Sequence, residues 1–486
     1  MHRLFPSEFF HFEAMRLLSF TPYEGCEIAE FLDAVGKIRD CDVESWYCAW
    51  MEAGVRAEEV AAEAEQAANR EAARRAFLRA SNYQRAAQFM LNGRNPSTEP
   101  RILRVSETSI SNFGKAQYLM DAAVVKLEIP YQDITLPGYL YLPAPSKQLP
   151  GKLPILLNTV GGDATQEEIF FILPREGLEL GYAVVTFEGP GQGLVLRRDK
   201  IPMRPDWEIV VTAVLDHIVE HAKANPKYNL DVNKFAIAGS SVGGYLCLRG
   251  ASDSRVKACI SVDPFFDMWD LLKGRVPEFL IHAFEAGGFV PDYIWEIFAN
   301  IVSTVNPQTK WEFNHLRWML GVQTVPDVFR RMQEFTFKQR DATNWLEKVK
   351  CPVFVTGAAS SMYAMPEIST TKIYNSLAHL GEKRVQWIAE NPYDGGYQSK
   401  VGALGLLNMK AFAWLDSVFD IDRKIPYKKM GRIDGAPSSK GNSVVDVPFS
   451  HVLGRNERDD CLYIAAQQKN SGVNIASVRG RQAGYR

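Results

Sequence analysis

The sequence predicts an α/β fold, with a mostly parallel, doubly wound sheet covered by helices. Short β-rich runs follow one another from about residue 125 and end in Gly, Asp or Ser, as in "LPILLNTVGG" and "FAIAGSS". Helical patterns such as "WEIVVTAVLDHIVEHAKA" lie between several of these runs. This alternation is typical of parallel sheets buried on both faces, which bind ligands beyond the carboxyl ends of their strands.

Composition excludes several classes of protein. The chain has 486 residues, of which 46% are hydrophobic and 23% charged, and its net charge of -2 gives no general attraction to nucleic acid or anionic membranes. The seven cysteines are scattered without a C-x-x-C pair, which favours neither a zinc site nor a disulfide framework. No apolar run approaches ~18 residues, and Glu8 and Glu13 make the N-terminus a poor signal peptide, so we expect a cytoplasmic protein.

Changes in residue usage along the chain predict five segments. Residues 1–125 form an N-terminal helical cap region, because a long Ala-, Glu- and Arg-rich run without Pro or Gly dominates them. Residues 126–263 and 346–424 form the two parts of the core, which a helical lid insertion at 264–345 separates. Residues 425–486 are polar and Gly/Ser-rich and predict a weakly ordered tail.

The cap and the lid each leave two interpretations open. The cap either only stabilises the core or also roofs the active site. The lid is crowded with Phe, Trp, Ile and Leu, which either line a pocket for a bulky apolar substrate or merely pack the insertion onto the core.

The stretch "IAGSSVGGYL", residues 237–246, predicts a nucleophile. It reads as a strand that enters a sharp turn with Ser241 at its tip, followed by a helix-compatible run. Gly239, Ser241 and Gly243 fit the G-x-S-x-G nucleophile elbow, in which small residues permit a tight, strained turn.

An elbow serine needs an oxyanion hole, and the sequence offers one. One donor is the backbone N–H of Val242, the residue after the nucleophile. The other is expected from the loop "LLNTVGGDATQEE", with Gly161 and Gly162 as candidates, although an ordinary glycine turn would look the same.

Five motifs in a fixed order now point to a family. They are "RAFLRASNYQRAAQFM", "LPGYLYLP", "GGDATQEE", "FEGPGQG" and "GSSVGGYL". Together they resemble the α/β-hydrolases that include dihydroxypseudooxynicotine hydrolase and the fungal yellowish-green pigment-pathway hydrolases, over roughly residues 40 to 420. The resemblance implies an α/β-hydrolase fold, a substrate held between the helical region and the core, cleavage of C–C bonds beside a carbonyl, and a Ser-Asp-His triad without metal or organic cofactor. Members of the family are often dimers, which favours a homodimer.

The sequence departs from the family pattern at two triad positions. The expected acid falls at Ser360 in "VFVTGAASSMYAMPE", and the expected His at Tyr397 in "ENPYDGGYQSKVGA". None of the eight histidines lies in that second loop. The phenol of tyrosine, with an ordinary pKa of about 10, is a poor base, and loss of one triad member leaves only ~10³–10⁴-fold catalysis over water. Ordinary serine hydrolysis is therefore expected to be impaired.

Three functions stay open. In the first, the protein binds a small-molecule carbonyl compound, a polyketide or polyketide–amino-acid intermediate, and catalyses a non-hydrolytic cyclisation, aldol or Knoevenagel-type condensation, with Ser241 and Tyr397 moving protons. In the second, it is a serine hydrolase with a rearranged relay, in which Asp263 replaces the acid, Asp163 donates a proton and His282 from the lid acts as base. In the third, it is an inactive binding protein. The intact elbow and glycine loop favour the first, and neither nucleic acid nor a membrane is expected as a partner.

Overall fold

The computed structural model describes residues 2–93, 96–273, 275–287, 290–339 and 343–423. The predicted tail at 425–486 lies outside these residues. Of the helices in the described ranges, none combines the length and the apolar character needed to cross a membrane.

The first 120 residues are helical. Their helices are α1 (Glu8–Leu18), α2 (Ile28–Lys37), α3 (Val43–Gln66), α4 (Arg70–Phe89) and α5 (Pro100–Tyr118). The long Ala-rich run is divided at Ala68, whose φ is 52°, and Asn69 then caps α4 by accepting a hydrogen bond from the N–H of Ala72. A run without Pro or Gly can therefore still break where an Asn offers a cap.

One sheet forms the centre of the described chain. Its strands are β1 (Ala123–Tyr131), β2 (Ile134–Leu142), β3 (Leu153–Thr159), β4 (Ala183–Phe187), β5 (Leu230–Ser240), β6 (Val256–Val262), β7 (Val353–Ala358) and β8 (Arg384–Ala389). The order is β1-β2-β4-β3-β5-β6-β7-β8, and the pairs from β4 to β8 are parallel, while β1 and β2 pair antiparallel. The predicted mostly parallel sheet is confirmed.

Strand β8 is the element that the sequence analysis did not single out. Only its last residue, Ala389, is buried, as expected of a strand at the edge of the sheet, and it lacks the continuous apolar run of the central strands. Strands β3 and β4, in contrast, are buried at every position.

Helices cover the sheet between its strands. Those before β6 are α6 (Gln166–Ile169), α7 (Pro174–Glu179), α8 (Gly193–Arg197), α9 (Glu208–Ala224) and α10 (Val242–Gly250). Between β6 and β7 lie α11 (Asp270–Lys273), α12 (Glu278–Glu285), α13 (Asp292–Val305), α14 (Pro307–Leu320) and α15 (Val325–Met332). After β7 come α16 (Thr370–Ser376) and α17 (Leu404–Phe419). The second group falls within the segment predicted as a lid.

Candidate active site

The turn between β5 and α10 has the geometry of a nucleophile elbow. Ser241 has φ 55° and ψ −118°, a conformation that non-glycine residues rarely adopt. Its N–H donates to the carbonyl of Val262 on the neighbouring strand at 2.8 Å. A Cβ on Gly239 would lie 2.1 Å from the carbonyl oxygen of Gly243, so the turn requires glycine there. Over the described residues, the Ser241 hydroxyl has no hydrogen-bond partner.

The glycine loop after β3 lies against this elbow. A Cβ on Gly161 would be 3.5 Å from the Ser240 carbonyl oxygen, and one on Gly162 would be 3.6 Å from Cγ2 of Val242. The loop is held in place by a 2.6 Å hydrogen bond from the Gln192 amide to the carbonyl of Val160. The structure thus brings the three predicted oxyanion-hole residues together, and their role in binding an oxyanion stays a prediction.

A cavity of about 210 Å³ opens above the elbow. Ser241, Asp163 and Asp263 line it, together with the three predicted oxyanion-hole residues. Most of the other lining side chains are apolar and come from α1, the loop after it and the lid, among them Phe12, Phe20, Phe265, Leu271, Leu272, Phe313, Leu316 and Met319. Side chains of the N-terminal region and of the predicted lid thus line the cavity, and their roles in covering an active site and in binding an apolar substrate stay predictions.

Other lid side chains only pack. Trp269, Phe284, Trp295 and Phe329 form an aromatic cluster with ring centroids about 5.5 Å apart. His282, the predicted alternative base, lies on α12 with 68% of its side chain exposed, beside Glu278 and not among the residues that line the cavity. This position is a correction to the sequence analysis, since an exposed ring outside the cavity cannot take the proton of Ser241.

Asp263 pairs with a buried lysine. Its Oδ1 accepts hydrogen bonds from Nζ of Lys400 at 2.8 Å and from Oγ1 of Thr356 at 2.6 Å, while its Oδ2 is buried without a partner. The Lys400 side chain is fully buried, its ammonium also donates to the carbonyl of Gly357, and burial lowers its pKa. Asp263 therefore meets a lysine, whereas a triad acid would orient a histidine.

The loops after β7 and β8 meet, as the family pattern requires. The N–H of Ser360 donates to the carbonyl of Gly396 at 2.9 Å, directly before Tyr397. The Tyr397 ring nevertheless packs edge-on against His11 and Phe12 of α1, with centroids 6.3 Å apart, and is not among the cavity-lining residues. The proton-transfer role predicted for Tyr397 gains no support from this placement.

Gln398 occupies the cavity wall beside Tyr397. Its amide nitrogen donates to the carbonyl of Asp263 at 2.8 Å, and its amide oxygen accepts from the Ser361 hydroxyl at 2.7 Å. Ser399 and Lys400 follow with φ of 56° and 59°. Two successive non-glycine residues in the left-handed region are strained, which is common where a loop builds a functional site.

Arg16 of α1 joins three carboxylates at the cavity wall. Its guanidinium lies 2.6 Å from Glu168, 2.7 Å from Asp163 and 3.3 Å from Glu13. Burial alone would raise the pKa of Asp163, but the charge and hydrogen bond of Arg16 outweigh it and hold that pKa below its ordinary value. Asp163 is therefore ionised at neutral pH, which disfavours the proton-donor role predicted for it.

His315 reaches the cavity from α14. Its Nε2 lies 3.0 Å from the carbonyl oxygen of Gly162, so that nitrogen carries the proton and donates it, while the ring stacks on Trp311 at 4.8 Å. Burial lowers the pKa of His315, so the ring is neutral at pH 7. His315 thus holds the glycine loop from the lid side.

Several polar residues of the site, Gln398 among them, were not predicted as site residues. Arg16 could have been suspected, because Asp163 and Glu168 follow the glycine loop and buried carboxylates need a cation. Glu13 and His315 have no local sequence signal, since distant parts of the chain bring them to the cavity, and Lys400 has none because its partner Asp263 lies far away in the sequence. In the described part of the chain, no three His, Cys, Asp or Glu side chains are grouped to hold a metal ion.

Comparisons with known proteins agree with this geometry. The alpha/beta hydrolase family model matches residues 161–377. Alpha/beta hydrolase psoB of Aspergillus fumigatus is 49% identical over 428 residues, which cover 87% of this chain and 96% of psoB. The 20-hydroxy-prefusarin hydrolase FUS2 of Gibberella moniliformis is 44% identical over 428 residues, 87% of this chain and 100% of FUS2.

A solved structure shows the same fold. The crystal structure of 2,6-dihydroxy-pseudo-oxynicotine hydrolase superposes with a TM-score of 0.62 at 18% identity, and the match covers 85% of this chain and 98% of that one. At this identity the likeness concerns the fold alone.

Proposed function

The chain belongs to the alpha/beta hydrolase family and is an enzyme of that fold, and from this premise we propose that it acts on a polyketide or polyketide–amino-acid intermediate of fungal secondary metabolism by non-hydrolytic carbonyl chemistry. One observation carries the proposal: Ser241 stands at a strained elbow in a largely apolar cavity, and its hydroxyl has no basic partner among the described residues. A serine without a base is a weak nucleophile.

The proposed chemistry is an intramolecular aldol or Knoevenagel-type condensation. Removal of a proton beside a carbonyl places charge on the carbonyl oxygen, and the backbone N–H groups of Gly161, Gly162 and Val242 would stabilise it there. Ser241 would then donate a hydrogen bond to the substrate. The apolar walls suit a long hydrophobic substrate chain that must fold back on itself. They would exclude water and hold the two reacting carbon atoms close together.

Hydrolysis is the second candidate, and the relatives favour it. The curated relatives carry hydrolase names, and the name of FUS2 gives 20-hydroxy-prefusarin as its substrate. A hydrolytic mechanism would use Ser241 as nucleophile and would need a base from the cavity wall. Asp263 is bound by Lys400 in this structure, so the rearranged relay would have to draw its base from elsewhere.

A serine-reactive fluorophosphonate probe distinguishes the two. The full chain would be incubated with the probe and weighed intact, beside Ser241→Ala and Tyr397→Phe. Labelling that stays near the Ser241→Ala level is expected for carbonyl chemistry without an activated serine. Stoichiometric labelling that Ser241→Ala abolishes would show an activated nucleophile and establish the hydrolytic candidate instead. Tyr397→Phe should match the wild type in either case, since Tyr397 is not among the cavity-lining residues.

A further inference from the structure

A cluster of charged side chains lies beneath α1, and three of its members, Glu13, Arg16 and Asp163, line the cavity. Glu13, Asp163 and Glu168 surround Arg16, and Arg85 of α4 lies 3.3 Å from Glu168 as the second guanidinium. These two guanidinium groups contact the three carboxyls, and the charge of a third, Arg197, acts on Asp163 and Glu168. Because an unpaired buried charge is costly, one carboxyl of such a cluster holds a proton more readily than the others.

The distances select Glu13 as that carboxyl. Two guanidinium nitrogens of Arg16 donate hydrogen bonds to Glu168, at 2.6 and 2.9 Å, and the third donates to Asp163 at 2.7 Å. Glu13 receives only the longer 3.3 Å contact, from the same nitrogen that bonds Asp163. Its ionised form therefore gains the least from the cation.

The surroundings of Glu13 point the same way. The residue is 2% exposed and lines the cavity with Phe12 and Tyr363. The titratable and charged groups that face it are Arg16 on its own helix, Asp163 after β3, Glu168 on α6, Arg85 on α4 and Tyr363 after β7. Burial raises the pKa of Glu13 to about 7, against the opposing effect of Arg16. Both protonation states are then populated near neutral pH, which suits a group that exchanges protons during catalysis.

We propose that Glu13, on the N-terminal helix, is the catalytic residue that takes and returns the substrate proton in this cavity. This inference rests on the proposed carbonyl chemistry. The Glu13 carboxylate removes a proton from the carbon beside a substrate carbonyl, so that the C–H bond breaks, an O–H bond forms on Glu13 and the electron pair moves onto the carbonyl oxygen. The enolate carbon then bonds to a second carbonyl carbon of the substrate. The resulting alkoxide takes the proton back from Glu13, and the carboxylate is restored.

Two measurements on the full chain test this assignment. The first needs no substrate: infrared difference spectra between wild type and Glu13→Gln should show a protonated carboxyl that titrates around pH 7. The second uses 4-phenyl-2-butanone in heavy water and follows, by mass spectrometry, deuterium uptake beside the ketone. Wild type should accelerate the uptake with an inflection near neutral pH. Glu13→Gln should lose at least about 100-fold of the acceleration, together with the inflection.

Control variants keep the test specific. Glu8→Gln changes an exposed glutamate of the same helix and should leave rate and pH profile unchanged. Glu13→Asp keeps a carboxyl on a shorter side chain and should retain part of the rate, and it also serves if the Gln variant fails to fold.

Each outcome of these measurements supports or overturns the role proposed for Glu13. A Glu13 that is ionised throughout the range, or a Gln variant with wild-type exchange, would overturn the role of Glu13 and leave the proposed carbonyl chemistry standing. Absence of any wild-type exchange, with Glu13 titrating as expected, would overturn the carbonyl chemistry and the catalytic role that depends on it.

Discussion

The elbow and the pair of loops after β7 and β8 lie at the same edge of the sheet, but they keep the family pattern to different degrees. At the elbow, glycines, backbone angles and hydrogen bonds all match what a nucleophile requires. In the loops, the backbones meet at Ser360 and Gly396, and the positions at which the family resemblance places the acid and the histidine hold Ser360 and Tyr397. The elbow therefore has the backbone geometry of a nucleophile site, whereas the two loops carry neither Asp nor His at the positions that the resemblance indicates.

Lys400, in the loop after β8, is the residue that most clearly distinguishes these loops from a triad. It places a buried ammonium on Asp263, the residue that the rearranged relay would use as its acid. The site therefore contains a buried ion pair at Asp263, while the carboxyl whose pKa burial raises, Glu13, lies on α1. The following predictions, from the largest effect to the smallest, test this contrast.

Replacement of Lys400 by Met should have the largest effect on stability. The variant leaves the Asp263 carboxylate buried without its cation, which typically costs about 3–5 kcal/mol in the free energy of unfolding. Urea denaturation followed by circular dichroism would measure it. Lys257→Met, which changes an exposed lysine of β6, is the matched control and should stay within about 0.5 kcal/mol of wild type. Equal losses in the two variants would show that the ion pair contributes nothing.

Glu13→Gln should stabilise the protein at alkaline pH and not at acid pH. Because its folded-state pKa is about 7 against an ordinary 4.5, the folded chain binds more protons than the unfolded chain between these values. The free energy of unfolding of the wild type therefore falls as pH rises through 7, by at most about 3 kcal/mol. The Gln variant has no titrating carboxyl at this position and should not show this decrease. Melting temperatures at several pH values would check it, and a gain that does not depend on pH would contradict the assignment.

The substitution Gly239→Ala at the elbow should lower the free energy of unfolding by less than Lys400→Met does. The new Cβ would meet the carbonyl oxygen of Gly243 at 2.1 Å, and backbone atoms cannot move aside as a flexible side chain can. A cost of about 1–3 kcal/mol in unfolding free energy is expected. Gly405→Ala in α17, where nothing lies within 4 Å of the new atom, should be neutral or slightly stabilising. A Gly239 variant as stable as this control would mean that the elbow is not tightly packed.

Restoring the family residues should change almost nothing. In the double variant Ser360→Asp/Tyr397→His, the new ring would occupy the position of Tyr397 against His11 and Phe12, outside the cavity lining. Fluorophosphonate labelling of Ser241 is therefore expected to remain at the wild-type level. A strong rise in labelling would show that the loop after β8 can turn its side chains toward the elbow.

Short sequence patterns predicted those parts of the structure that depend on residues close together in the sequence. The strand-turn-helix context of Ser241 and the glycine loop could be found in the sequence, because both depend on residues within about ten positions of one another. The edge strand β8 was missed since it lacks a continuous apolar run, and the break before α4 was missed because one Asn cap replaced the expected Gly or Pro.

The polar half of the cavity depends on long-range contacts. Arg16 meets Glu168 across a separation of 152 residues, and His315 meets Gly162 across 153. No spacing in the sequence signals such pairs. The exposed position of His282 and the orientation of Tyr397 likewise follow from helix packing that residue types alone do not fix.

The contacts of Arg16 also bear on how the chain can be divided. Helix α1 contributes a cation to Asp163 and Glu168, both from the hydrolase core, and Glu168 is also contacted by Arg85 of α4. Removal of the first twenty residues would leave Asp163 without the guanidinium of Arg16 and Glu168 with Arg85 alone. The catalytic core is thus no minimal domain that can be excised or transplanted alone, and recombination between relatives should keep the first helix and the glycine loop from the same parent.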